Sequence, residues 1–209
     1  MFGIGKGTPE RGPIALPLFP LNAVLVPGGL LPLRIFEQRY IERAKACLKD
    51  NRSFGVCLIT QGDEVASAPS KPLAFSLVGT RATLSSWDMP QLGILLVTAV
   101  GGERFQVRSH RVEADGLVVA EAARIPAEPP LALPARFEPL AKLLELVATR
   151  ASPHQFPEKR AYDDASWVGY RLAELLPLPL SIKQSMLEIN DSDMRLSLLQ
   201  KFLQQQGLV

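Results

Sequence analysis

The chain has 209 residues, of which 47% are hydrophobic, and its 23 Lys and Arg against 21 Asp and Glu give a formal net charge of +2. This size and apolar content fill a hydrophobic core, which excludes a disordered tail. The basic residues are spread along the chain, and no apolar run approaches the roughly 20 residues that span a bilayer, so neither nucleic acid nor a membrane is indicated as a partner.

The first 13 residues are rich in Gly, Pro and charge and predict a flexible lead-in. They contain no continuous apolar core of signal-peptide length, so we expect a cytoplasmic protein whose Cys47 and Cys57 stay reduced. With only two histidines in the chain, these cysteines form no recognisable metal set. Burial as small hydrophobic side chains is the expectation for both.

The stretch after the lead-in predicts two apolar strands, one helix and a third strand. Repeated prolines interrupt the two apolar runs, which favours strands that are kinked or lie at a sheet edge. From Glu37 the apolar spacing changes to about 3.6 residues, which indicates a helix that ends near Asp50 and Asn51. Residues 53–60 are typical of a buried strand.

The next segment predicts further strands and hairpins. A polar loop is expected at 61–71 and a strand at 73–86, with residues 87–93 forming the turn into a strand at 94–100. The Gly-Gly pair at 101–102 fits either a tight hairpin or a sharp bend within one long strand. Asp115 and Gly116, between two apolar runs, are the strongest hairpin signal in the chain.

Beyond the strands the sequence predicts a linker and then a helical bundle. Four prolines between 126 and 134 indicate a stiff, extended linker at a domain boundary. Apolar residues recur at helical spacing over 136–150 and in three later segments. The predicted division is a lead-in at 1–13, a β-rich domain at 14–125, the linker, and a helical bundle at 135–209.

Three of the predicted helices are preceded by polar residues that can accept hydrogen bonds from the first free backbone N–H groups. The expected caps are Asp163 or Asp164, Ser181 with Gln184 as a capping box, and Asp191 or Asp193. The paired carboxylates also suggest a metal site, but capping is favoured because each pair directly precedes an apolar helix.

Several motifs resemble the amino-terminal domain of Lon protease, the substrate-binding module of that ATP-dependent enzyme. They are Leu16-Pro17-Leu18-Phe19-Pro20, Val26-Pro27-Gly28, Leu31-Pro32-Leu33, Phe36-Glu37, Val78-Gly79-Thr80-Arg81-Ala82, Gly102-Glu103-Arg104-Phe105 and the stretch 175–196. The resemblance covers roughly residues 14–203. It implies an α+β fold, in which a PUA-like β pseudo-barrel with one helix is followed by an α-helical bundle.

The resemblance implies a stand-alone module that binds unfolded polypeptide or a partner protein and is not an enzyme. The sequence contains no Walker motif, no Lon-like serine segment and no Gly-x-Ser-x-Gly elbow. No catalytic, cofactor-binding or metal-binding residue is therefore assigned. Two alternatives stay open: a small hydrolase or peptidase with an unrecognised site, tested at Ser181 and His154, and a PUA-like RNA-binding module, against which the even charge argues.

Candidate binding residues come from the irregular sheet edges, because an edge strand can bind an extended peptide through its backbone. Core packing explains the alternate apolar residues of 30–36. It does not explain Arg34, which is charged, or Trp87 and Met89, which lie beside turn residues. The predicted peptide- or partner-binding residues are Phe19, Leu33, Arg34, Phe36, Trp87 and Met89.

Overall fold

The computed structural model describes residues 12–50, 52–62, 73–150, 156–157 and 159–207. In chain order, its strands and helices are β1 Ile14–Leu21, β2 Leu30–Ile35, α1 Gln38–Asp50, β3 Phe54–Gln61, β4 Ala74–Phe75, β5 Val78–Gln91, β6 Ile94–Val112, β7 Val118–Arg124, α2 Glu138–Ala148, α3 Ala165–Leu175, α4 Leu180–Glu188 and α5 Ser192–Gln205. A 3₁₀ turn, Ala135–Phe137, leads into α2. No helix in these ranges is both long and apolar enough to cross a membrane.

Five of the strands form a ring of paired neighbours. The ring runs β1, β7, β6, β5 and β3 through antiparallel pairs, and a parallel pair between β3 and β1 closes it. Outside the ring, β2 pairs with β6 and β4 pairs with β3. The predicted β pseudo-barrel followed by helices is confirmed.

Helix α1 packs its apolar face against the barrel. Ile41, Ala44 and Cys47 recur every three residues and are buried in the same cluster as Phe19 and Phe54. The predicted burial of Cys47 and Cys57 is confirmed, and both are free thiols. Burial raises the pKa of the Cys57 thiol to about 12, so this thiol stays protonated and is a poor nucleophile.

The predicted turn at 87–93 is wrong for most of its length. Strand β5 runs through to Gln91, and the turn consists of Leu92 and Gly93, where the glycine supplies a φ of 84°. A shift of register between Asp88 and Gln91 surrounds Pro90. Such an irregularity accommodates a residue that cannot donate to the ladder, so here the proline interrupts the pairing without ending the strand.

The two glycines at 101–102 lie within one long strand, β6. Of the two predicted alternatives, one long strand is therefore correct and a tight hairpin is not. Gly101 donates its N–H to Gly29 O at 2.9 Å and accepts the N–H of Gly28 at 2.8 Å. The loop ahead of β2 is therefore hydrogen-bonded directly to the middle of β6. The hairpin predicted at Asp115 and Gly116 is confirmed and joins β6 to β7.

Two of the predicted helix caps are confirmed and one is wrong. Asp164 accepts the N–H of Trp167 at 2.7 Å, and Asp191 accepts that of Met194 at 2.9 Å. The capping box of Ser181 and Gln184 does not form, because α4 already begins at Leu180, after Pro179, without a side-chain cap.

The side chain of Gln184 serves instead to connect the helices to the barrel, donating to Val78 O at 3.0 Å. The helices pack around a core of their own, to which α2, α3, α4 and α5 contribute. Its largest buried members include Phe137, Leu140, Leu144, Val168, Leu172, Leu196, Leu199 and Leu203.

A buried charge network joins the linker, the barrel and the helices. Arg195 is 0% exposed and donates to Glu128 Oε2 at 2.9 Å, and Tyr170 donates its hydroxyl to the same carboxylate at 2.6 Å. Arg104 of β6 lies 3.6 Å from Glu128 and donates to Leu187 O at 2.9 Å. Burial alone would raise the pKa of Glu128, but the hydrogen bonds from Arg195 and Tyr170 outweigh it and hold the pKa below its usual value.

Candidate functional site

An apolar groove of about 290 Å³ opens between the end of β1, strand β2 and the start of α1. We call it the β2 groove. Its lining residues are Phe19, Pro20, Leu21, Ala23, Leu31, Pro32, Leu33, Arg34, Ile35, Phe36, Glu37 and Tyr40. Strand β2 is amphipathic, because Ile35 is buried while Pro32 and Arg34 are exposed, and it presents one row of side chains outward.

Four of the six predicted binding residues line this groove: Phe19, Leu33, Arg34 and Phe36. Phe36 is 57% exposed, which is unusual for a large aromatic side chain, and it lies between β2 and α1. Phe19 is 3% exposed, and its ring packs at centroid distances of 4.9 Å from Tyr40 and 4.5 Å from Phe54. Phe19 therefore forms the buried floor of the groove, and the accessible side chains are those of Leu33, Arg34 and Phe36.

The remaining two, Trp87 and Met89, lie on β5 and do not line the groove. Trp87 is opposite Val97 of β6, and on its other side Val97 is opposite Leu33 of β2. Two strand spacings of about 4.8 Å therefore separate the backbones of Trp87 and Leu33. Trp87 is 62% exposed, whereas Met89 packs against the barrel core.

The prediction missed Tyr40, which forms the helical wall of the groove. It lies four residues after Phe36, in the first turn of α1, and this closeness in sequence was the signal that could have placed the two side chains near each other. In the structure its ring is half-buried and packs on Phe19.

Strand β2 has one open edge within the described part of the chain. Its only strand partner there is β6, and all six of its residues are in register with residues 95–100. An open strand edge offers N–H and C=O groups to an extended peptide. Pro32 removes one donor from β2, which limits uncontrolled pairing with other edges.

Helix α3 fixes the start of β2 through two buried charges. Arg171, 0% exposed, donates to Pro27 O at 2.9 Å and to Gly28 O at 3.0 Å, and its guanidinium lies 2.8 Å from Glu174. Glu174 in turn accepts the backbone N–H of Leu30, the first residue of β2. The helices therefore position the strand that forms one wall of the groove.

This clamp predicts a measurable pH dependence of stability. Burial raises the pKa of Glu174 from an ordinary 4.5 to about 7, and the Arg171 guanidinium only partly opposes it. Between these two pH values the folded state keeps a proton that the unfolded chain has released. The stability that Glu174 contributes is therefore complete below about pH 4.5 and is lost as the pH rises through about 7.

The variant Glu174→Gln, which mimics the protonated carboxyl at every pH, isolates this contribution. We expect its free energy of unfolding to rise relative to that of the wild type as the pH is raised from 5 to 8, measured by urea denaturation at each pH. If the free energy of unfolding of the variant instead falls relative to that of the wild type over this range, the ion pair with Arg171 outweighs the effect of burial on Glu174.

Neither Lys183 nor His110 lines the β2 groove. No group of three or more His, Cys, Asp and Glu side chains within those residues is arranged to hold a metal ion. Lys183 donates to the main-chain oxygen of Glu174 at 2.6 Å. His110 packs edge-on against Phe75 at 5.1 Å, while His154 lies outside the described residues.

The fold and the sequence have known relatives. The family model described as the ATP-dependent protease La (LON) substrate-binding domain matches residues 15–205. A crystal structure of a Lon N-terminal domain protein from Xanthomonas campestris has a TM-score of 0.71 and 34% identity, covering 90% of this chain and 98% of that chain. Both matches extend over the barrel and the helices.

Two further relatives are more distant. The N-terminal domain of the Mycobacterium avium complex Lon protease has a TM-score of 0.55 at 15% identity over 89% of this chain and 96% of that one, which shows the fold alone. Protein cereblon of Xenopus tropicalis is 27% identical over 115 residues, 53% of this chain but only 24% of the relative's own length. Because the family model matches nearly the whole chain, the chain belongs to the family of Lon (protease La) substrate-binding domains.

Proposed function

We propose that the protein is a non-catalytic module that binds unfolded polypeptide or a partner protein through the β2 groove. The observation that carries this proposal is the exposed Phe36 beside the open edge of β2 in a substrate-binding fold. We further propose that it acts in the cytoplasm, where its free cysteines, Cys47 and Cys57, stay reduced.

The groove supports a mode of binding in which backbone and side chains both take part. An extended segment adds to β2 through main-chain hydrogen bonds and places apolar side chains against Leu33, Phe36 and Tyr40. The volume of about 290 Å³ lies just below the usual range of ligand pockets, about 300–1,000 Å³. It suits a few side chains of a peptide.

The polypeptide affinity is expected to depend on Phe36. Phe36→Ala should weaken binding of a fluorescein-labelled unfolded polypeptide by about tenfold or more, because an exposed aromatic anchor contributes about 1–2 kcal/mol or more to an interface. Leu146→Ala is the matched control, since Leu146 of α2 is exposed to the same extent, 57%, and lies outside the groove.

Fluorescence anisotropy measures both affinities, and a thermal melt verifies that each variant is folded. Equal affinities for the wild type and for the two variants would remove the β2 groove from the proposal. Failure of the wild type to bind any unfolded polypeptide would contradict the proposed function itself.

A further inference from the structure

Strand β1 and helix α1 together line two cavities, of which the β2 groove is one. A second cavity, of about 930 Å³, adjoins the first half of β1 and the second half of α1. Strand β1 contributes Pro17 to this cavity and Phe19 to the groove, and these alternate residues lie on one face of the strand. Helix α1 contributes Arg43 to the cavity and Tyr40 to the groove. Residues three apart lie on one face of a helix, so successive turns of α1 line the two cavities.

Arginines line the second cavity, which we call the arginine pocket. Its polar side chains are those of Arg43, Arg52, Ser53, Arg81 and Glu113. Three arginines and one glutamate thus line the pocket. The two cavities differ accordingly in chemistry, because the groove is mainly apolar and the pocket is cationic.

The arginines are only partly neutralised by their neighbours. Arg43 lies 3.9 Å from Glu113, at the limit of an ion pair, and Arg52 lies 3.2 Å from Asp50. Arg81 donates its Nε to the hydroxyl of Ser53 at 2.5 Å, and no carboxylate among the described residues is within ion-pair distance of it. The planar guanidinium group of Arg81 is therefore available to an incoming carboxylate, which it can bind through two hydrogen bonds.

We infer that the two cavities together bind polypeptide segments in which apolar residues are flanked by acidic ones, with the apolar side chains in the β2 groove and the carboxylates in the arginine pocket. The inference rests on the proposed function and names the class of polypeptide that the site takes. Pro17 and Pro20 are three residues apart on β1, which corresponds to about 10 Å along an extended chain. The matching peptide therefore carries its acidic residues about three residues from the apolar ones.

Three labelled peptides of equal length test the inference. Each carries a Leu-Phe pair and, three residues away, a pair of Asp, Asn or Lys residues. By fluorescence anisotropy with the full chain, the Asp peptide is expected to bind about tenfold more tightly than the Asn peptide, and the Lys peptide more weakly than either. Raising the salt concentration should reduce the advantage of the Asp peptide, because the pocket is open to solvent.

The variant Arg43→Gln/Arg81→Gln should abolish the preference for Asp, because the affinity for the Asp peptide falls to that for the Asn peptide. Arg136→Gln/Lys201→Gln is the control, because it removes the same charge from exposed positions on the helical side of the molecule. Should the double variant fail a folding check, Arg43→Gln alone, at a side chain 33% exposed, is expected to reduce the preference about threefold.

The outcomes separate this inference from the proposed function. Equal binding of the Asp and Asn peptides would overturn the inference and leave the groove as a polypeptide site. The same holds if the preference for Asp persists in both arginine variants, or if the Lys peptide binds most tightly. Binding of none of the three peptides would contradict the proposed function, and the inference with it.

Discussion

Arg195→Met is expected to lower the free energy of unfolding by about 3–5 kcal/mol, because it removes one partner of a buried ion pair. Arg195 is 0% exposed, and the side chain of Glu128 is 3% exposed. Arg195 also donates to Met186 O at 2.9 Å, and its guanidinium carbon lies 3.9 Å from the centre of the Tyr170 ring. The substitution leaves the Glu128 carboxylate in the interior with Tyr170 as its remaining hydrogen-bond donor and the Arg104 guanidinium 3.6 Å away.

Urea denaturation measures the effect, and an exposed ion pair supplies the control. Arg136 pairs with Asp193 at side chains that are 59% and 38% exposed, so Arg136→Met should cost below about 1 kcal/mol. Combining Arg195→Met with Glu128→Leu should cost less than the sum of the two single changes, because the Glu128 carboxylate that Arg195→Met deprives of its main partner is then absent. A loss below about 1 kcal/mol for Arg195→Met would show that the network does not hold the helices to the barrel.

Gly101→Ala is expected to destabilise the protein by about 3 kcal/mol, at the upper end of the usual cost of overpacking. A methyl group there would overlap the carbonyl oxygen of Val26 and lie 3.1 Å from its carbonyl carbon. The loop cannot easily retreat, because Gly28 and Gly29 are both hydrogen-bonded to Gly101. The substitution acts on backbone against backbone, where no side-chain rotation relieves the clash.

The neighbouring glycine is the matched control for this prediction. At Gly102 the nearest atom to an added methyl group is Arg81 O at 3.2 Å, so Gly102→Ala should cost below about 1 kcal/mol. Differential scanning calorimetry compares the two variants. Similar melting temperatures for both variants would mean that the loop ahead of β2 moves freely. That result would contradict the account in which Gly101 and Arg171 hold this loop through hydrogen bonds.

Local patterns in the sequence predicted the elements whose ends are set by local chemistry. Helix α1 ends at Asp50 as the periodicity indicated, and Asp164 and Asp191 cap their helices through their own side chains. The two wrong predictions have another cause. Pro90 lies in a strand because an irregular register accommodates it, and the side chain of Gln184 bonds to Val78 of the barrel. Val78 is 106 residues from Gln184 in sequence, whereas Pro90 lies in a local hairpin of β5 and β6 whose irregular register the sequence pattern does not indicate.

The same distinction applies to the candidate site. Leu33, Arg34 and Phe36 lie in one short segment, so an irregular edge strand could be predicted from sequence, although its contact with a ligand stays a prediction. The arginine pocket could not be predicted, because Arg43 and Arg81 belong to α1 and β5 and only the closure of the barrel brings them together. Sequence periodicity carries no information about such long-range contacts.

Backbone chemical-shift mapping of the ¹⁵N-labelled protein during titration with an unfolded polypeptide tests the central claim most directly. We expect saturable shifts concentrated at β2, at Phe36 and at Tyr40, with the amides of α2 unperturbed. Shifts confined to the helices, or no shift anywhere at saturating polypeptide, would contradict the assignment of the β2 groove as the binding site.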